Sequence, residues 1–187
     1  MIAELFNFAS MTALEIIAQL LGFGGTIMNF VSYQMNERKK ILGCQMIAAL
    51  FFVASFLCLG AYTGMAMNFL GMLRALVYTN NDKKWAKPTV WMPIFFVAFA
   101  AATALTWDGA ISLLPMVAMM LATVSLSLKN PTYIRIVTFP TSPCWLIYNV
   151  FCRSYAGILT EAMVMFSIVS AAVRYDVIPW IRKRKKK

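Results

Sequence analysis

Long apolar segments, separated by short polar turns, follow one another along almost the whole chain. A helix of about 20 mostly apolar residues is long enough to cross the hydrocarbon core of a bilayer. The pattern therefore predicts an all-α membrane protein with seven transmembrane helices. These are expected at residues 13–33, 41–59, 61–79, 89–106, 109–128, 134–152 and 155–173.

Basic residues are concentrated in alternate turns of this pattern. All but Arg74 and Arg153 of the 17 Lys and Arg residues lie in or beside the turns after the first, third and fifth spans, or in the C-terminal tail. Because basic turns stay on the cytoplasmic side, we expect an extracytoplasmic N-terminus and a cytoplasmic C-terminus. That orientation requires an odd number of crossings, which favours seven.

Composition supports the membrane assignment and narrows the function. The chain is 61% hydrophobic and only 13% charged, with a mean hydropathy of +0.71, unlike a soluble domain. We interpret the net charge of +10 as a topology signal and as attraction of the tail to anionic inner-leaflet lipids, not to nucleic acid. The chain has no histidine and no catalytic motif, so we predict no enzyme activity, no cofactor and no metal site.

An internal repeat appears when the sequence is shifted by 93 positions. Tyr62-Thr63-Gly64 then falls on Tyr155-Ala156-Gly157, and Asn68 falls on Glu161. The repeat predicts one membrane domain, residues 1–187, in a 3+1+3 arrangement with both units in the same orientation. The first unit is 13–79, the linker helix is 89–106, the second unit is 109–173 and the basic tail is 174–187.

Several polar residues lie within the predicted spans, where they are costly. Glu161 is about two turns inside the last span, and an ionisable group there costs roughly 2.5–3.5 kcal/mol. Such a carboxyl group is by default a candidate functional residue, with a structural hydrogen bond as the alternative. Helix packing is the alternative for the other polar residues, and for Arg74 both a gating role and a lipid-facing position stay open. The predicted solute-binding residues are Glu161, Asn68, Trp145, Asn149, Phe52 and Gln19.

Short motifs in both halves resemble the YgjV-type family of bacterial inner-membrane proteins. They are Ala18-Gln19-Leu20-Leu21-Gly22, Asn36-Glu37-Arg38-Lys39-Lys40, Leu59-Gly60-Ala61-Tyr62, Leu73-Arg74, Cys144-Trp145-Leu146-Ile147-Tyr148-Asn149, Gly157, Glu161 and Arg174. That family is similar to the PQ-loop superfamily, which includes SWEET sugar porters and PnuC-type vitamin porters. The resemblance implies a solute path between two three-helix units, lined by second-helix aromatics and third-helix polar groups. The Pro-Gln pair of that superfamily is absent where Gln19 follows Ala18, and Glu161 replaces an amide, which argues against a sugar as substrate.

These observations lead to one functional expectation and one alternative. We expect a multi-pass protein of the bacterial inner membrane that moves a small polar solute, of unknown identity, by alternating access. The alternative is a non-transporting receptor or an assembly protein of an envelope complex. A polar cavity at Glu161 favours the transporter, whereas a close-packed interior favours the alternative. Whether the chain forms a homo-oligomer is left open.

Overall fold

Helices account for nearly all of the chain that the structure describes. A computed structural model describes residues 11–174 except 36, 81, 82 and 129, together with residue 178. No β-strand occurs in this part of the chain. The α-helices are α1 (Ala13–Gln34), α2 (Arg38–Cys58), α3 (Tyr62–Thr79), α4 (Pro88–Leu105), α5 (Leu113–Ser127), α6 (Pro131–Thr138), α7 (Thr141–Phe151) and α8 (Tyr155–Ala172).

The start of α1 is fixed by a capping box. The Thr12 hydroxyl accepts a hydrogen bond from the Glu15 backbone N–H at 3.3 Å, and the Glu15 carboxylate accepts one from the Thr12 N–H at 2.7 Å. The pair satisfies donors that the first turn of a helix leaves free. The capping box therefore places the start of α1 at Ala13, the residue at which the first predicted span begins.

Helix contacts join the two halves of the chain into a ring. In the first half α2 packs against both α1 and α3, and in the second half α7 packs against both α5 and α8. The halves meet where α1 contacts α8 and where α3 contacts α5, while α4 lies against α3 and α5. The interior of the protein is therefore enclosed by α1, α2, α3, α5, α7 and α8.

The two ends of the helix bundle differ in the turns that connect the helices. At the short-turn end, residues 59–61, 106–112 and 152–154 join α2 to α3, α4 to α5 and α7 to α8. At the basic end, α1, α3 and α5 end and α2, α4 and α6 begin. We call them the short-turn end and the basic end of the helix bundle.

The predicted sixth span, 134–152, is not one straight helix. The structure divides it into α6 and α7 with a turn at Phe139 and Pro140. Both turn residues keep right-handed helical dihedral angles, so the chain bends without reversing. Pro140 and Pro143 cause the interruption, because proline has no N–H to donate and its ring displaces the preceding turn.

Length and apolar surface suit the bundle to a membrane. Within the part of the chain that the structure describes, three helical segments are long and apolar enough to cross one: Ala13–Ser32, Ala110–Ser127 and Tyr155–Ala172. Shorter apolar segments run over Gly43–Cys58 and Thr89–Leu105. On the outer surface, Val97, Leu105 and Phe166 are 70%, 87% and 76% exposed. Large apolar side chains on that surface are suited to contact with lipid rather than with water.

Gln19 connects the two halves near the short-turn end. Its Nε2 donates to the Arg153 carbonyl at 2.8 Å, and its Oε1 accepts from the Tyr155 backbone N–H at 2.9 Å. Gln19 is 8% exposed, so both hydrogen bonds lie away from bulk solvent. The side chain thus fixes α1 against the turn that precedes α8.

Replacing Gln19 by leucine is expected to lower the free energy of unfolding by about 1–3 kcal/mol, because two buried hydrogen bonds are lost. Thermal unfolding in detergent would measure the change. Gln45→Leu is the matched control, since the Gln45 amide lines a cavity instead of joining two helices. Equal melting temperatures for the two variants would contradict the role given to Gln19.

Candidate solute-binding cavity

A cavity of about 230 Å³ lies inside the ring of helices. At ~30 Å³ for each molecule of liquid water, it has room for roughly seven or eight waters. We call it the central cavity. Its lining residues come from α1, α2, α3, α5, α7 and α8: Asn29, Gln45, Ala49, Phe52, Phe56, Asn68, Gly71, Met72, Arg74, Ala75, Met119, Trp145, Asn149, Gly157, Thr160 and Glu161.

Five of the six predicted binding residues line this cavity. They are Phe52, Asn68, Trp145, Asn149 and Glu161. The sixth, Gln19, lies apart from it, with its amide held by the turn before α8. Gln19 and Asn29 are ten positions apart on α1, about 15 Å along the helix axis at 1.5 Å per residue, and only Asn29 reaches the cavity.

Glu161 is the acidic group of the cavity. It lies on α8 and is partly buried, and the Ser142 hydroxyl of α7 is close to its carboxyl group. Among the described residues, no lysine or arginine forms an ion pair with Glu161. An acidic side chain inside a helix bundle is therefore left available to a mobile partner such as water or a solute.

Asn68 and Asn149 are two of the three asparagines among the described residues that line the cavity. Asn68 donates through Nδ2 to the Gly64 carbonyl one turn earlier, at 2.9 Å. Asn149 is only 3% exposed, and its Oδ1 accepts no hydrogen bond from the described residues. A buried amide oxygen without a protein partner is an unmet acceptor, so Asn149 is suited to receive a donor from water or a solute.

Gly157 makes room for Asn149. A Cβ atom added at Gly157 would collide with the Asn149 side-chain amide. The absence of a side chain on α8 therefore allows the amide of α7 to occupy the space between the two helices.

Four aromatic rings close the cavity on one side, and we call them the aromatic barrier. Phe56 stacks on Trp145 with centroids 6.3 Å apart and an interplanar angle of 25°. Tyr148 lies 5.9 Å from both Phe56 and Trp145, and Phe52 lies 6.3 Å from Phe56. The rings come from α2 and α7, so the barrier bridges the two halves of the chain.

A hydrogen bond fixes the barrier to α3. The Gly64 backbone N–H donates to the Tyr148 hydroxyl at 2.7 Å. A Cβ atom on Gly64 would lie 2.7 Å from the Tyr148 ring and 3.1 Å from the Phe56 ring. Glycine is therefore needed here for the rings to pack against the start of α3.

The barrier separates the central cavity from a second one. A cavity of about 800 Å³ at the short-turn end is lined by Gly60, Ala61, Asp108 and Tyr148, among others. A third cavity, of about 270 Å³, lies toward the basic end and shares Gln45, Arg74 and Ala75 with the central cavity. The central cavity therefore adjoins the cavity at the basic end, and the aromatic barrier lies between it and the cavity at the short-turn end.

Arg74 faces the interior. Its Nη1 donates to the Met119 carbonyl at 3.1 Å and to the Thr123 hydroxyl at 2.9 Å, both on α5. Its buried Nε has no hydrogen-bond partner among the described residues. This placement differs from the lipid-facing position considered for Arg74, and the gating role stays a prediction.

Some cavity residues were not predicted from the sequence. Phe56, Gln45 and Thr160 line the cavity but did not stand out in the sequence. Phe56 is one helical turn after Phe52, and this i, i+4 spacing was the signal that could have identified it.

Apolar surface and a polar, aromatic-lined interior define an integral membrane protein of the helical class. The chain belongs to the Imp-YgjV family of bacterial inner membrane proteins, whose family model matches residues 16–177. No curated protein and no solved structure matches the chain.

Proposed function

We propose that this protein carries a small polar solute across the bacterial inner membrane by alternating access, through the central cavity. The observation that carries the proposal is a polar cavity inside a membrane bundle, with the Glu161 carboxyl group on its wall and no described cation paired to it. Intramembrane ionisable groups of this kind mark solute or ion pathways.

Helix packing supports a two-unit mechanism. Suppose that α1, α2 and α3 correspond in that order to α5, α7 and α8. A twofold rotation would then exchange the α1–α8 contact with the α3–α5 contact, and both contacts are present. The kinked pair α6–α7 then counts as one crossing, which gives seven. The solute site would lie between the two units, as in other carriers built from parallel repeats.

The aromatic barrier supports alternation between two states. With the basic turns on the cytoplasmic side, the short-turn end is extracytoplasmic and the barrier closes the outer side of the cavity. The structure then corresponds to an inward-facing state. Transport requires a second state, in which Phe56, Trp145 and Tyr148 separate and the basic end closes.

A receptor or assembly protein is the alternative, and it would explain the packing faces and the basic tail without a cavity. A close-packed interior would have favoured it. The central cavity, together with the unmet acceptor on Asn149, favours transport instead. We therefore retain the transporter as the proposed function.

Uptake by proteoliposomes tests the proposal. Purified protein is reconstituted, incubated with a metabolite extract, and the internal contents are measured by mass spectrometry. We expect at least one polar solute to accumulate relative to empty liposomes. Glu161→Gln is expected to reduce that accumulation about tenfold or more, since a hydrogen bond to a charged group contributes roughly 1.5–3 kcal/mol.

Glu37→Gln is the matched control, because Glu37 is exposed and pairs with Lys40 outside the cavity. It removes the same charge and is expected to leave accumulation unchanged. If no solute accumulates, or if wild type and Glu161→Gln accumulate the same solutes equally, the transporter proposal is wrong.

A further inference from the structure

Two charged side chains of opposite sign line the central cavity. Glu161 lies on α8 of the second half, and Arg74 lies on α3 of the first half. No ion pair joins them or joins either to another described residue. The cavity therefore presents an acidic and a basic group on different walls, with the space for a solute between them.

The positions of the two groups are set independently of each other. Arg74 is oriented by its hydrogen bonds to the Met119 carbonyl and the Thr123 hydroxyl on α5, and its Nε has no hydrogen-bond partner among the described residues. Glu161 is positioned by α8, beside Ser142 of α7. Neither group forms an ion pair with the other, so both are available to a solute that enters the cavity.

Charge compensation distinguishes between classes of solute. A charged group removed from bulk water is stabilised by an opposite charge nearby. A neutral solute would compensate neither group, and a simple cation or anion would compensate one. A solute that carries both an ammonium and an anionic group would compensate both, and its own charges would be compensated in turn.

We propose that the central cavity binds a small zwitterion, with its ammonium group at Glu161 and its anionic group at Arg74. This inference rests on the proposed function and names its substrate class. The apolar part of the solute would lie against Trp145, and Asn149 Oδ1 would accept a further hydrogen bond from the ammonium group.

The dimensions of the cavity agree with this class. Asn68 and Arg74 both line it and are six positions apart on α3, which corresponds to about 9 Å along the helix axis at 1.5 Å per residue. A cavity of that length with a volume of about 230 Å³ has room for an amino-acid-sized molecule.

The test compares solutes of matched shape and different charge in the same proteoliposomes. The zwitterions are the protein amino acids, γ-aminobutyrate and glycine betaine. The comparison set is choline, which replaces the carboxylate of glycine betaine by a hydroxymethyl group, together with lactate, glycerol and ribose. Uptake of each is measured by mass spectrometry against empty liposomes.

We expect one or more zwitterions to enter and the comparison solutes to be excluded. Glu161→Gln and Arg74→Gln are each expected to lower zwitterion uptake about tenfold or more, because each removes one charged contact. Arg74→Lys retains the positive charge and is expected to keep part of the uptake, which separates the role of charge from that of folding. Glu37→Gln and Arg153→Gln, at exposed positions, serve as charge-matched controls.

Each contrary outcome has a distinct meaning. Entry of ribose, glycerol, choline or lactate with exclusion of every zwitterion overturns the zwitterion assignment and leaves the proposed transport function intact. Zwitterion uptake that is unchanged in both Glu161→Gln and Arg74→Gln also overturns the assignment. Failure of every solute to enter overturns the transport function and this inference with it.

Discussion

Gly157→Ala is expected to destabilise the protein by about 1–3 kcal/mol, the usual cost of adding a methyl group to a packed interior. The added Cβ would collide with the Asn149 amide. To relieve the collision, α7 and α8 must separate or the amide must move into the central cavity. Thermal unfolding in detergent measures the first consequence, and solute uptake measures the second.

Gly43→Ala is the matched control on α2. Nothing lies within 4 Å of a Cβ atom at that position, so alanine gains helix propensity there without a collision. Stability is expected to rise, by up to about 1 kcal/mol. A Gly157→Ala variant as stable as Gly43→Ala would show that α7 and α8 do not pack as described.

Phe56→Ala is expected to open the aromatic barrier. Phe56 is 2% exposed and contacts the other three rings of the barrier. Its removal leaves a gap between the central cavity and the cavity at the short-turn end. A cysteine placed at position 68, in a chain whose native cysteines are replaced, should then react several-fold faster with an impermeant thiol reagent added at the short-turn end.

Phe99→Ala is the matched control for Phe56→Ala, because it removes a phenyl ring from a part of the interior outside the aromatic barrier. Phe99 is fully buried on α4, stacked on Phe95, and it does not line the central cavity. Both variants are expected to lose a comparable amount of stability, about 3–5 kcal/mol on the scale of soluble cores. Only Phe56→Ala should change the reactivity of the cysteine. Equal reactivity in the two variants would contradict the barrier.

Much of the helical structure follows from hydropathy alone. Apolar segments and short turns placed α1, α3, α4 and α8 within a few residues of their bounds, because each segment ends at charged or turn-forming residues. The interruption of the sixth span was missed because hydropathy counts proline as one more uncharged residue. Its effect is on the backbone, through the N–H that Pro140 lacks.

The residues of the candidate site could be predicted where their depth in the membrane determines which side chains meet. A shift of 93 positions places Asn68 on Glu161 and Phe52 on Trp145. Because Trp145 and Glu161 were expected at similar depths on adjacent antiparallel spans, their presence at one cavity could be predicted. Gln19 shows a limit of predictions from helical periodicity. A polar helix face indicates that a partner exists, but only the arrangement of helices shows that the partner is a turn between α7 and α8.

Arg74 shows that the same limit applies to predicting the position of a charged side chain. Its distance from the end of α3 is compatible both with lipid headgroups and with the interior, and the rotation of the helix decides between them. That rotation depends on contacts between α3 and α5, which no local sequence signal specifies. Only the folded chain therefore shows that Arg74 donates to the Met119 carbonyl and the Thr123 hydroxyl of α5.

Accessibility of position 68 from the two sides of the membrane tests the central claim most directly. The measurement uses an Asn68→Cys variant that lacks the native cysteines and retains the complete barrier, with an impermeant thiol reagent applied to one face at a time. Alternating access predicts modification from both faces, with slower reaction from the short-turn end, where the barrier must open first. Modification from one face only, or from neither, would contradict it and would favour a static membrane receptor or assembly protein.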